Sequence, residues 1–555
     1  MSEVAIRPRG LACMAVVVFL IACTPAQAQY GGGSGTAAHP YLIRTADQMN
    51  AIGLDPEDWG KHYELEADID LQEVEGSAWH SIGNADQPFT GVFDGKGHTI
   101  SNFRYVVQAD EPKDGLRSRI GLFGMLDGPQ AEIRGLGLLD PEVITASTYS
   151  ESVWQVGALA GYLKSGSIVD CYVDGGEVAG DQWVGGLVGT SGGTIRRCWT
   201  ACTVMAGPER TVIPLVGNMH EDRERFGGLV GENYGDIHSC YSTATVRGPE
   251  DVGGLVGSHR RRTIADSWAR GQVSATWSAG GLVGYNGIEG TVVRCYAAAQ
   301  VAGDQVAGGL IGKNNAAYVR ESWAGGDVSG EIFVGGLIGL NTDERFQADA
   351  LAGAVADCYA TARVCGNGAF GGLIGGNVVT VARCYAVGEV AGRDPSLEKP
   401  EDFGLVGTNR MGVGYGGIRD GVIEDCFWDT QTSGQSHSQG GGTGLPTAEM
   451  QSIWTYIAAG WDFPGETANG TADVWKMCCG RAIYPKLAWE PMLVGDFVAP
   501  DGVDFADLAF LAEHWLQPTG LPCANADLTF DGQTDMKDFT LLARHWRHKH
   551  KNASF

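Results

Sequence analysis

The chain has 555 residues, 44% hydrophobic and 19% charged, a balance that suits folded cores rather than disorder. Its formal net charge of −27 repels phosphate backbones and anionic lipid surfaces, which argues against nucleic acid as a partner. The 84 glycines follow no collagen-like three-residue period, so they serve turns or closely packed backbone, and a repeat architecture is expected.

Residues 1–28 read as an export signal. Arg7 and Arg9 precede an apolar run from Leu11 to Ala22, and Ala26-Gln27-Ala28 offers small residues for cleavage. A second reading of the same segment is a lipoprotein signal, since Leu20-Ile21-Ala22-Cys23 forms a lipobox-like end whose cysteine would carry a lipid anchor. No later segment holds the ~18 apolar residues that a membrane-spanning helix needs.

From Val156 onward the chain repeats: VGALAGY, VGGLVGT from Val184, FGGLVGE from Phe226, VGGLVGS from Val252, AGGLVGY from Ala279, AGGLIGK from Ala307, VGGLIGL from Val334, FGGLIGG from Phe370, and a truncated FGLVGT from Phe403. The basic period is about 26 to 28 residues, the signature of a solenoid or an array. Each unit continues through a turn, a β-branched residue, a Cys or Ser followed by an aromatic, and a small-residue stretch ending in Val. This grammar predicts three short strands per unit and one unit per coil of a parallel β-helix of about nine to ten coils with β caps.

Alternation along a strand orients the side chains. In the unit at Cys295, Cys295, Ala297, Ala299 and Val301 share one parity, while Tyr296, Ala298 and Gln300 share the other. The positions equivalent to Gln300 are Thr203, Thr245, Gln272, Asp327, Arg363 and Glu389, which are polar, so the cysteine column faces the core and the aromatic column faces outward. The cysteine column is Cys171, Cys198, Cys240, Cys295, Cys358, Cys384 and Cys426, with Ser267 and Ser322 in two coils, and buried free thiols are expected there. Cys478, Cys479 and Cys523 lie outside the column and are better disulfide candidates. The aromatic column is Tyr172, Trp199, Tyr241, Trp268, Tyr296, Trp323, Tyr359, Tyr385 and Phe427. It forms a candidate ligand ladder for sugar rings or a partner strand; alternatively the rings stack on one another and stabilise the sheet, at roughly 0.2–1 kcal/mol per pair.

The VGGLVG-type units followed by Asp-Cys-Tyr or Arg-Cys-Tyr resemble the GLUG-motif repeats of bacterial surface proteins, some of which accompany immunoglobulin A peptidases. The resemblance extends upstream through YELEADIDL from Tyr63, PFTGVFDGKGHTISNF from Pro88 and IGLFG from Ile120, and downstream through AGWDF from Ala459 and YPKLAWE from Tyr484. It implies a surface-associated solenoid, with the downstream segment as the element that closes it. A cap is physically required because an open coil end presents unpaired backbone groups.

After Glu490 the pattern changes to two acidic loops, each followed by a helix-compatible stretch, FADLAFLAEHWL from Phe505 and MKDFTLLARHWR from Met536. In the second loop Asp527, Thr529, Asp531, the Gln533 carbonyl, Asp535 and Asp538 occupy the oxygen-ligand positions of a twelve-residue calcium frame, with Gly532 at the sharp turn. The first loop offers Asp496, Asp504 and Asp507, but Val498 and Pro500 stand where side-chain oxygens are expected. The tandem resembles a type I dockerin. That resemblance implies a small α-helical EF-hand-like domain, Ca2+, and a cohesin-like partner.

Catalytic motifs do not hold together. Gly189-Thr190-Ser191-Gly192-Gly193 spells G-x-S-x-G without a following helix, and Gly366 to Gly371 spells G-x-G-x-x-G without a βαβ setting. His220-Glu221 lacks the second histidine of a zinc peptidase helix. The column Asp170, Arg197, Asp266, Arg294, Glu321, Asp357, Arg383 and Asp425 reads as an alternating charge ladder rather than an acid/base site.

The chain therefore divides into a signal peptide (1–28), a linker (29–39), an N-terminal capping β region (40–150), the repeat solenoid (151–430), a Gly/Ser-rich linker (431–445), a C-terminal cap segment (446–494) and the calcium-loop pair (495–548). The expectation is a non-catalytic, secreted or surface-attached binding or scaffold protein that contacts a glycan or surface protein. Its rivals are a polysaccharide-degrading β-helix enzyme, which needs clustered carboxylates, and a plain spacer, whose ladder would be covered by the insertions at 207–225, 341–354 and 392–402.

Overall fold

A computed structural model describes residues 29–74, 79–107, 118–145, 154–207, 224–344, 353–392, 403–412, 418–466, 468–477 and 483–490, with short stretches between 508 and 544. The export signal with Cys13 and Cys23, both calcium loops apart from Asp535 and the backbone of Asp538, and Cys478, Cys479 and Cys523 lie outside the described residues.

The repeat units stack as coils of a parallel β-helix. One coil runs through Gln182–Gly185, Val188–Ser191, Thr194–Arg196 and Trp199–Ala206, and each strand pairs in parallel with its equivalents in the adjacent coils. The four resulting walls hold nine, ten, thirteen and eighteen strands respectively, the last because several of its strands are split. Registers join like to like: Val184 to Phe226, Val188 to Val230, Ile195 to Ile237, and Trp199 to Tyr241. The predicted region at 40–150 supplies strands to the same sheets, beginning with Tyr41–Ile43 and His62–Leu65 in the third wall.

Each coil has four strands where three were expected. The difference lies in the Gly-Gly-Leu segment, read as one strand, which is a corner between the first and second walls. Its second glycine stacks from coil to coil so closely that a Cβ on Gly281 or on Gly309 would stand 2.0 Å from the carbonyl oxygen of the glycine one coil on. Only glycine permits that approach. The following leucine turns inward, and Leu187, Leu229, Leu255, Leu282, Leu310, Leu337 and Leu373 are all fully buried. Opposite them stands a β-branched column, Ile195, Ile237, Ile264, Val292, Val319, Val355 and Val381, equally buried, so every coil fills its section of one continuous core.

A second corner joins the third wall to the fourth. Here Asp170, Arg197, Ser239, Asp266, Arg294, Glu321, Asp357, Arg383 and Asp425 all adopt left-handed backbone, with φ between 47° and 54°. The turn drops the next residue into the core and aims the one after outward. The cysteine column is accordingly buried, with no disulfide among the described thiols. Burial pushes the Cys295 thiol up to about 12, which keeps it protonated and inert. The expected alternation holds in Tyr296–Gly303, where Ala297, Ala299 and Val301 face in and Gln300 faces out.

The C-terminal segments are placed differently from the expectation. Residues 434–445, assigned to a linker, add a last partial coil: Gly404 N–H donates to the His437 carbonyl at 2.9 Å, and Thr443–Leu445 pairs in parallel with Phe427–Asp429. Residues 446–490, assigned to an end cap, instead lie along the outside of the fourth wall. The physical reason is hydrophobic: Met450, Tyr456, Trp461, Phe463, Trp475 and Leu487 form a second core with Tyr359, Tyr385 and Phe427, and the last rings of the ladder offer the apolar surface that this segment needs.

Candidate functional site: the aromatic wall

The outward aromatics form one uninterrupted stack. Successive ring centroids from Tyr172 through Trp199, Tyr241, Trp268, Tyr296, Trp323 and Tyr359 to Tyr385 are 4.4–5.7 Å apart, with interplanar angles of 11° or less. In-register parallel pairing places one ring above the next at the strand spacing, and the flat rings fill that interval. Each inner ring thus has both faces occupied by its neighbours. Only ring edges and the Tyr hydroxyl and Trp N–H groups remain for anything outside, so a sugar ring cannot stack face-on against an inner member.

The ladder is divided into an open and a covered part. Tyr172, Trp199, Tyr241, Trp268 and Tyr296 are half-buried and Tyr359 and Tyr385 fully buried; Trp323 stands at the boundary, half-buried but packed against the covering segment, with its Nε1 buried. The sequence-based assignment of all eight as one ligand ladder is therefore corrected for Tyr359 and Tyr385. Among the described residues the cover is the segment 446–490; most of the insertions lie outside the described residues.

This covering segment reads the corner beside the ladder with three evenly spaced tryptophans. Trp489 Nε1 donates to the Glu321 carbonyl at 2.9 Å, Trp475 Nε1 to Asp357 Oδ1 at 3.3 Å, and Trp461 Nε1 to the Asp425 carbonyl at 3.0 Å. Between them the hydroxyl of Tyr385 donates to the Pro485 carbonyl at 2.5 Å. Tyr359 Oη donates to the Glu490 carboxylate at 2.9 Å and accepts from Lys486 Nζ at 2.8 Å. Lys486 also lies 4.7 Å from the Tyr359 ring centroid, a cation–π contact; its burial lowers the ammonium pKa. The even spacing of Trp461, Trp475 and Trp489 was visible in the sequence but had no meaning before the corner column was known.

The corner charges pair down the stack. Arg197 meets Asp170 at 2.6 Å, Arg294 meets Asp266 at 2.7 Å and Arg383 meets Asp357 at 2.7 Å, which is the charge ladder expected from the alternation. The Arg197 guanidinium holds the Asp170 carboxyl below its ordinary value, and all three carboxylates accept hydrogen bonds from the arginine of the next coil.

Two further columns escaped the sequence reading. At the end of the second wall Asn286, Asn314, Asn341, Asn377 and Asn409 pass side-chain amide hydrogen bonds from coil to coil at 2.7–2.8 Å. The Val/Ile-Gly-x-Asn ending of six Gly-Leu segments, at Asn233, Asn286, Asn314, Asn341, Asn377 and Asn409, carried that signal. Where the column begins, His259 takes an asparagine place, with Nδ1 3.0 Å from Asn233 Nδ2 and Nε2 3.1 Å from the Arg262 carbonyl. Burial pushes this imidazole down to about 4, so it is neutral, accepting at Nδ1 and donating at Nε2. On the outer side of the first and second walls Arg225 and Glu232 form a buried pair at 3.0 Å, and Tyr234 Oη donates to the same Glu232 oxygen at 2.8 Å. A second cation, Arg260, lies 3.7 Å from the same oxygen, so the buried carboxylate is compensated by two arginines and a phenol.

Of the metal-ligand candidates, Asp527, Thr529, Asp531, Gln533, Asp496, Asp504 and Asp507 lie outside the described residues. Asp535 Oδ1 accepts from Lys537 N–H at 2.7 Å at the start of helix Met536–Arg544, which contains Asp538.

The family model of the GLUG motif matches residues 222–247, a span that carries one coil from Phe226–Gly227 to the start of the fourth wall. Halomucin of Haloquadratum walsbyi is 30% identical over 167 residues, covering 28% of this chain and 2% of that protein. A protein named "Putative Gly-rich membrane protein" from Evansella cellulosilytica is 32% identical over 159 residues, covering 27% of this chain and 16% of its own length. The matches thus span a small part of both relatives. Among solved structures, a "putative immunoglobulin A1 protease" from Bacteroides ovatus aligns over 83% of this chain and 96% of that one at 18% identity, with a TM-score of 0.35. No helix among the described residues is long and apolar enough to cross a membrane. The motif model thus matches one coil, and the coils stacked on it in register repeat its residue pattern.

Proposed function

We propose that this protein is an exported, surface-located, non-catalytic binding scaffold whose contact face is the open part of the aromatic wall, Tyr172 to Trp323. The observation that carries the reading is the half-burial of these six rings in a stack whose next two members are fully covered. A rigid row of aromatic edges beside alternating charges is a surface that binds without rearranging. The pairing of the corner carboxylates with arginines supports a non-catalytic role. Export is supported by the residue pattern of 1–28, and an association with the cell envelope by the Evansella relative, whose name describes a membrane protein.

The C-terminal tail acts in this reading as a calcium-stabilised, dockerin-like tether that engages a cohesin-like partner. Asp527, Thr529, Asp531, Gln533, Asp535 and Asp538 hold Ca2+, with a weaker contribution from Asp496, Asp504 and Asp507. The filled ring faces favour a second reading, a spacer in which the ladder only stiffens the coil.

The test is binding of labelled full-length protein to bacterial surfaces and to a glycan array. Binding that falls at least tenfold in a Trp199→Ala, Trp268→Ala double variant supports the contact face. Binding unchanged by the variant, or release of reducing ends from a polysaccharide, overturns it.

A further inference from the structure

The covered end of the ladder displays what the open end lacks. Over Tyr359 and Tyr385 the segment 446–490 lays an antiparallel strand pair, Trp475–Lys476 with Lys486–Leu487, and addresses two columns at once. Its Glu490 carboxylate, Pro485 carbonyl and Lys486 ammonium meet the ladder hydroxyls of Tyr359 and Tyr385, while its indole N–H groups meet the corner residues Glu321, Asp357 and Asp425. This is a recognition mode for a stacked ladder, and its elements recur with every coil.

The same two columns continue along the open end. The ring edges of Tyr172, Trp199, Tyr241, Trp268 and Tyr296 are half-exposed, and the corners beside them, Asp170, Arg197, Ser239, Asp266 and Arg294, repeat the left-handed backbone that presents the Glu321 and Asp425 carbonyls to tryptophan. Among the described residues no backbone N–H donates to the carbonyls of these five corners. Asp170 and Asp266 are exposed but each is paired with an arginine of the next coil, so what favours a cationic visitor is the overall net charge of −27. The covered rings are continuous with the open ones in a single stack, so the established interface extends without a break into the vacant one.

We infer that the open ladder docks a polypeptide that carries tryptophan and lysine on a short strand or hairpin, in the manner of this chain's own Lys486 and Trp489: an indole N–H to a corner carbonyl, and an ammonium to a ring hydroxyl. The inference rests on the proposed contact face and narrows it to a protein partner of defined chemistry. It makes the site a row of equivalent positions one coil apart, so a partner with evenly spaced tryptophans gains affinity by engaging several corners simultaneously.

The probe is a synthetic peptide of residues 483–490, Ile-Tyr-Pro-Lys-Leu-Ala-Trp-Glu, offered singly and as a tandem of two copies to the intact full-length protein. Saturable binding is expected, at least tenfold tighter for the tandem and weakened at least tenfold when tryptophan in the peptide is replaced by alanine. Since ring removal can disturb folding, the protein-side variant is Asp170→Arg with Asp266→Arg, because arginine already occupies the same left-handed corner at 197, 294 and 383; it should weaken binding at least fivefold. No peptide binding, or binding indifferent to the peptide tryptophan and to the corner substitutions, overturns the inference. If that result is accompanied by surface binding that still depends on Trp199 and Trp268, the contact face stands and only its partner chemistry is wrong.

Discussion

Trp489 donates its indole N–H to the carbonyl of Glu321 at 2.9 Å, closing a chain loop that spans several coils and fixing the covering segment at the place where the ladder changes from open to buried. Above it, Trp475 reaches Asp357, and Trp461 reaches Asp425. These three bonds, and the second hydrophobic core they border, give the segment its position.

Replacing Trp475, which is fully buried, by alanine removes a large apolar side chain and its hydrogen bond, a loss of about 3–5 kcal/mol. The expected result is release of the covering segment with the coils intact. Limited proteolysis should cut within 446–490 in Trp475→Ala and spare the wild type, while the far-ultraviolet spectrum keeps its strand signal.

The stacking corner should tolerate no Cβ. In Gly309→Ala the new carbon would stand 2.0 Å from the Gly336 carbonyl oxygen, and a backbone neighbour has no rotamer to escape into, so a loss of more than about 3 kcal/mol is expected. Gly412→Ala is the control, with nothing within 4 Å of its Cβ. Soluble yield and urea midpoints should fall for the first and hold for the second.

Acid should loosen the coil around His259. An unfolded imidazole takes up a proton near pH 6.5, whereas the folded one resists until about 4 because burial disfavours its charge. The nearby Asp236 carboxylate pulls weakly the other way, and the facing partners, Asn233 and the Arg262 carbonyl, are uncharged. Between these two values the unfolded chain binds more protons. Stability is therefore complete above pH 6.5, falls as pH drops towards 4, and levels below, with a total of roughly 3 kcal/mol. Amide exchange of Val256–His259 should accelerate over that window while Ile374–Asn377 stays protected, and His259→Asn should remove the difference.

Two arginines of similar appearance in sequence should differ in weight. Arg197 and Asp170 are each about half exposed, so solvent screens the pair and Arg197→Ala should leave the unfolding temperature nearly unchanged. Arg225 and Glu232 retain 6% and 3% side-chain exposure, and Arg225→Ala leaves the buried carboxylate only the more distant Arg260 at 3.7 Å and the Tyr234 hydroxyl, a loss of about 3 kcal/mol. Thermal unfolding of the two variants should separate them clearly.

Calcium should act on the tail alone. Titration of Ca2+ into the full chain followed by chelation is expected to change the exchange of Met536–Arg544 and to leave the amides of the third wall unaffected. Asp527→Ala with Asp531→Ala should abolish the response. A response unchanged in that variant places the metal elsewhere.

The period of the Gly-Leu units, the inward cysteines, the outward aromatics and the alternating corner charges were determined by the sequence, because each follows from one coil repeated with strand parity. Those properties are local, and stacking merely multiplies them. The sequence did not determine that Gly-Gly-Leu is a corner, since a turn and a strand are distinguished there by the closeness of the next coil. It did not show the asparagine column either, whose members lie one coil apart and bond only when in register. Above all, residues 446–490 carried no mark of where they settle. Their tryptophans meet Glu321, Asp357 and Asp425 across a long stretch of chain, and only the tertiary structure decided that they cover Tyr359 and Tyr385 and leave Tyr172 to Trp323 open, because burial depends on which apolar surfaces the completed solenoid leaves within reach.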